Sequence, residues 1–120
     1  MTREQFERLV RQALTDIPDE IEVRLENVDI VVEEWATDDQ LVGANIPEDQ
    51  HLLGLYEGIP LPDRYNYDMV LPDKITLFQR TIEEFCASEE EIVEEVRMTV
   101  VHEIAHHFGI DDNRLEEIGV

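Results

Sequence analysis

A single cysteine, Cys86, stands in this 120-residue chain, so no intramolecular disulfide can form and no C-x-x-C pair is present to hold a metal. Cys86 is expected to be a small core residue. Basic residues are scarce as well: nine Lys and Arg face thirty Asp and Glu, a formal charge of −21. Such a surface repels nucleic-acid phosphates and anionic lipid while attracting metal ions and basic peptides, so neither nucleic acid nor membrane is expected as a partner. No apolar run approaches the ~18 residues of a membrane span. The stretch Met1–Glu7 is charged and helical in pattern rather than apolar, and a cytoplasmic location is expected. Internal repeats, low-complexity tracts and interdomain linkers are absent too. With 42% hydrophobic residues, the chain is expected to form one domain over residues 1–120. The sequence carries no signal of oligomeric state.

What is present is strong periodicity. Thr2 with Gln5 forms a capping-box pattern, and Phe6, Leu9, Val10, Ala13, Leu14 and Ile17 follow a helical stripe that Pro18 ends. Pro18 also suits the start of a short second helical piece carrying Ile21 and Leu25. From Val28 to Trp35 the β-branched run predicts a largely buried strand, and Thr37 to Gln50 reads as a surface loop. His51–Glu57 predicts an edge strand, halted by Gly58, Pro60 and Pro62; Asp73–Gln79 predicts another strand and Thr81–Cys86 a helical turn or short helix. Ser88 and Glu91 form a second capping-box pattern opening a helix of about twenty residues, with Ile92, Val93, Val96, Val100, Ile104 and Phe108 as its apolar stripe. Asn113–Ile118 predicts a short terminal helix.

The long helix ends in His102-Glu103-Ile104-Ala105-His106-His107-Phe108-Gly109-Ile110-Asp111-Asp112, an H-E-x-x-H-x-x-G-x-x-D pattern. Residues four apart on a helix lie one turn above each other, so His102 and His106 can share one Zn²⁺. Glu103, one residue out of phase, is placed beside the ion rather than on it, which is the position of a general base. Gly109 lets the chain leave the helix in a left-handed turn and return Asp111 or Asp112 as a third ligand; Asp112 has the matching offset, and Glu116 is a further candidate. By the chain's own composition, H-E-x-x-H arises in roughly 2% of shuffled sequences and the extended pattern in about one in ten thousand. His51 and His107 are left out of the ligand set, because lone histidines are more often surface residues or supporting groups.

These residues, together with Leu53–Leu61 and Pro72–Phe78, give a chain that resembles the zincin metallopeptidases. More narrowly it is similar to a small bacterial single-domain zincin-like family carrying H-E-x-x-H-H-F-G-x-x-D. The resemblance implies an α/β (α+β) domain, with a small twisted mixed sheet of about three to four strands on a long active-site helix, and an N-terminal helix. It implies Zn²⁺ held by His102, His106 and Asp112, with Glu103 catalytic. Only eight residues follow Asp112, so no counterpart of the downstream Met-turn of metzincins is expected in them. Met69 is the upstream candidate for an apolar floor and Tyr65 or Tyr67 for an oxyanion donor, although such residues ordinarily fill core gaps or face water.

Three functions follow as expectations. The first is zinc-dependent hydrolysis of peptide bonds, on a peptide or protein substrate that adds to the edge strand at His51–Glu57; the acidic surface is first a solubility device and only secondarily a selector of basic substrates. The alternative is a non-catalytic zinc-stabilised binding or regulatory module on the same scaffold. Metal-dependent RNA processing is argued against by the charge of −21.

Overall fold

The computed structural model describes residues 1–44, 51–58 and 73–119. Helix α1 (Arg3–Leu14) starts where the Thr2 hydroxyl accepts the Gln5 N–H at 3.1 Å and the Gln5 side chain accepts the Thr2 N–H at 3.0 Å. The box satisfies two donors that the first helical turn leaves open. Phe6, Leu9, Val10 and Ala13 form its buried stripe and pack on the long helix described below. Pro18 precedes α2 (Asp19–Glu22), which runs into a 3₁₀ turn over Val23–Leu25 and buries Ile21 completely.

Among the described residues three strands, β1 (Val28–Glu33), β2 (Gly54–Glu57) and β3 (Asp73–Phe78), form one mixed sheet in the order β1-β3-β2. β3 pairs parallel to β1, with Ile30 opposite Ile75, and antiparallel to β2, with Leu55 opposite Thr76. Central position explains why Ile75, Thr76, Leu77 and Phe78 are all fully buried. β1 departs from the largely buried strand expected of it. Val28, Ile30 and Val32 pack against the core while Asp29 is exposed, because an outer strand covers one face only. β2 is the edge strand that the sequence predicted, shortened to four residues.

The expected loop from Thr37 also needs correction. Thr37 and Gln40 close a capping box at 2.9 and 3.1 Å and open α3 (Asp38–Gly43). Its signal, a Thr three residues ahead of a Gln, was in the sequence but lacked an apolar stripe behind it. Residues 45–50 of that predicted loop lie outside the described residues, as do Pro60, Pro62, Tyr65, Tyr67 and Met69.

Helix α4 (Gln79–Phe85) follows β3 directly, and α5 (Glu89–His107) is the long helix. Ser88 Oγ accepts the Glu91 N–H at 3.2 Å, but the Glu91 carboxylate bonds the Ala87 N–H rather than that of Ser88, so the expected box is displaced by one residue. Ile92, Val96, Val100, Val101, Ile104 and Ala105 face α1 and the sheet, each large aliphatic contributing about 1.5–3 kcal/mol by burial. Phe108, expected on this stripe, is 46% exposed. The helix ends one residue before it, and the Arg24 guanidinium lies 5.7 Å from its ring. Cys86 is half-buried against the core, and burial first, then the carboxylates of Glu95 and Glu91, hold its thiol above the ordinary range.

Glu83 joins α4 to the N-terminus. Its carboxylate accepts from the Met1 ammonium at 3.2 Å, Arg80 at 3.0 Å and Gln79 at 3.4 Å. Burial pushes its pKa up, but those three donors outweigh it and leave the group below the usual glutamate value of 4.5. A depressed folded-state pKa contributes stability that is present above the unfolded value and lost as pH falls through the folded one. The urea midpoint of the native chain should therefore fall on acidification below pH 4.5 more steeply than that of Glu83→Gln. At neutral pH, Glu83→Gln should be less stable by about 1 kcal/mol. Parallel pH curves for the two proteins would refute the coupling.

Candidate metal centre

The last two turns of α5 carry His102, Glu103, His106 and His107. The rings of His102 and His106 lie 18° from parallel with centroids 6.3 Å apart, as side chains one turn apart on one face should. His102 is half-buried and His106 exposed. Glu103 is turned toward β2, where the Tyr56 backbone hydrogen-bonds its carboxylate.

The sheet register makes that contact possible. Phe78 N–H donates to Leu53 C=O at 3.0 Å, so the bonded pairs of the ladder continue at alternate residues, Leu55–Thr76 and Glu57–Lys74. Tyr56, between them, turns its backbone groups away from β3. Burial raises the Glu103 pKa most strongly, while the Tyr56 backbone and the neighbouring His106 and His102 pull it down; the net effect is upward. The carboxylate is thus a better proton acceptor than an ordinary glutamate, at a position held by the edge strand. Tyr56 is fixed in turn: its hydroxyl donates to Asp73 Oδ2 at 2.6 Å and its ring stacks on His107, 3.9 Å between centroids and 16° from parallel. Sequence reasoning missed Tyr56, because nothing in β2 marks which residue will meet a helix distant in the chain.

Close contact between β2 and α5 depends on Gly54. A Cβ at that position would lie 2.6 Å from Thr99 Cγ2 and 3.3 Å from the Thr76 carbonyl oxygen. Gly54→Ala should cost about 1–3 kcal/mol through overpacking, read as a lower urea midpoint. Adding Thr99→Ser, which deletes the clashing methyl, should restore most of that loss. A double variant no more stable than Gly54→Ala would contradict the assignment.

Gly109 has φ +73 and ends α5 in a Schellman turn, with Ile110 N–H on Ala105 C=O at 2.8 Å and Gly109 N–H on His106 C=O at 3.4 Å. The reversal sends α6 (Asp112–Ile118) back past the histidines. Buried Leu115 seats it, and Arg114 holds Glu20 at 2.7 and 3.2 Å. Asp111 is committed as the N-cap, its carboxylate accepting the Arg114 N–H at 2.8 Å. Asp112 and Glu116 are both exposed and share with His102 a cavity of about 460 Å³. The fold therefore brings His102 and His106 to one helix face and Asp112 to the same cavity as His102. Among the described residues, however, no three His, Cys, Asp or Glu groups stand close enough to hold a metal ion. By donor chemistry the set fits zinc: two imidazoles on one helix face, a carboxylate lining the same cavity as His102, and a desolvated glutamate beside them. His51 packs edge-on to Phe85 at 5.3 Å, and His107 on Tyr56 and Phe108, so both have packing roles.

The family described as zincin-like metallopeptidase matches the chain over residues 25–120. In fold the chain is similar to a conserved hypothetical protein from Thermus thermophilus, with a TM-score of 0.57 and 22% identity over 90% of this chain and 94% of that one. No curated protein gave a match. Among the described residues no helix is long and apolar enough to cross a membrane.

Proposed function

This chain belongs to the zincin-like metallopeptidase family, and from that premise we propose a zinc-dependent peptidase in which His102, His106 and Asp112 hold the ion and Glu103 is the general base. The observation that carries the reading is the placement of Glu103: desolvated, anchored by the Tyr56 backbone, and one residue from the His102–His106 face. Zinc, when bound by such donors, supplies Lewis acidity and lowers the pKa of water to about 7. The Glu103 carboxylate takes the proton of the attacking water and returns it to the leaving amine nitrogen. Its raised pKa brings acceptance and return of the proton closer in energy than an ordinary glutamate would. Tyr56 keeps the carboxylate aimed through its backbone, and Asp73 and His107 keep Tyr56 in place. Among the described residues β2 has no strand on its outer side, and an extended peptide added there would be aligned by outward backbone groups other than the one bonded to Glu103.

The test is digestion of a mixed peptide library by the zinc-loaded protein, with and without chelator. Cleavage abolished by chelation is the expected result. One bound zinc without cleavage would reject the peptidase and leave a zinc-stabilised binding module.

A further inference from the structure

A second cavity opens beside Glu103 and shares His102 with the one that Asp112 lines. It measures about 250 Å³ and is walled by Leu52, Leu53 and Met98, with Glu95 at its far end. Its size is below the roughly 300–1,000 Å³ of sites that take a whole ligand, so it suits one side chain. Glu95, Met98, Thr99 and His102 share one stripe of α5 at spacings i, i+3, i+4 and i+7. Glu95 therefore stands two turns, about 10 Å, from His102 along the helix.

Two features of this cavity are not explained by folding. Met98 is 39% exposed, and Glu95 is half-buried with no ion pair or hydrogen bond among the described residues. Its neighbours are occupied: Glu91 bonds Ala87 N–H and Glu94 pairs with Arg97. The cavity holds no Lys or Arg; its other titratable groups are His51, His102 and Glu103.

We propose that this cavity is the specificity pocket for a long cationic side chain, Lys or Arg, on the substrate residue next to the scissile bond, with Glu95 as its counter-charge. The methylene stem lies along Leu52, Leu53 and Met98, and the charged head reaches Glu95. A short side chain placed at the His102 turn cannot span the distance. The assignment rests on the peptidase reading for its orientation, but its recognition chemistry can be measured without turnover.

Fluorescein-labelled peptides of identical Ala/Ser/Gly background, with a central Arg or its uncharged isostere citrulline, are titrated by anisotropy into zinc-loaded Glu103→Gln protein. The Arg peptide should bind at least tenfold tighter. The difference should vanish when Glu95→Gln is added and persist when Glu4→Gln, an equal charge change on exposed α1 surface, is added instead. Equal binding of the two peptides, no binding of either, or an Arg preference that survives Glu95→Gln would overturn the pocket. The preference found in a chain whose unsubstituted form cleaves nothing would reject the peptidase and leave the pocket standing.

Discussion

Glu103→Gln should lower peptide hydrolysis by about 10²–10⁴-fold, the usual contribution of a positioned general base, while the chain still binds one zinc. Gln is the informative replacement because its carboxamide oxygen can still accept from the Tyr56 backbone, so geometry is kept and only the proton-accepting carboxylate is lost. Folding should not suffer. A carboxyl whose folded-state pKa is raised contributes stability below its unfolded value of 4.5 and loses that contribution as pH rises through the folded value. At neutral pH the metal-free Glu103→Gln chain should therefore be at least as stable as the native one, a trade of stability for function. The check is a urea midpoint measured beside kcat/KM. Hydrolysis within a factor of about three of native would remove Glu103 from the mechanism.

His106→Ala should weaken zinc binding by well over the 10–100-fold that outer-sphere partners cost, with hydrolysis lost at any zinc concentration that leaves the site empty. Because His106 is exposed, the same substitution should change metal-free stability by no more than about 0.5 kcal/mol. A ligand and a packing residue are thus separated by one variant. Linkage provides the readout: zinc at 100 times its Kd adds about 2.7 kcal/mol to the native chain and close to nothing to His106→Ala. The carboxylates separate in the same way. Asp112→Ala should follow His106→Ala, whereas Asp111→Ala should cost about 1 kcal/mol through the lost N-cap and keep zinc. Zinc affinity unchanged in Asp112→Ala but lost on substituting Glu116, its neighbour in the cavity, would transfer the third position to Glu116.

Local rules carried most of the architecture. Thr2, Ser88 and Gly109 mark element ends by hydrogen-bond chemistry that involves neighbours in sequence; Thr2 and Gly109 do what their local patterns predict, and Ser88 caps its helix although the reciprocal Glu91 bond goes to Ala87. Two of the failures share one cause. Whether Val28–Glu33 is central or outer, and whether Phe108 stays on the buried stripe, depends on which distant element arrives beside it, and one sequence does not encode that legibly. The candidate site divides along the same line. His102, Glu103 and His106 are legible because one helix spaces them. Tyr56 is not, because its hold on Glu103 arises from a strand register and from a glycine, Gly54, that lets β2 approach Thr99. Asp112 is intermediate: the left-handed Gly109 predicts the chain reversal, but assigning Asp111 to the cap required its bond to Arg114.

The most direct test of the metal centre is a crystal structure of the zinc-loaded chain recorded at the zinc absorption edge. A single anomalous peak is expected, bonded by one nitrogen each of His102 and His106 at about 2.0–2.1 Å and by an Asp112 oxygen at about 2.0–2.2 Å, with Glu103 outside bonding distance. A peak bonded by Glu103, or one seated away from the His102–His106 face, would contradict that assignment.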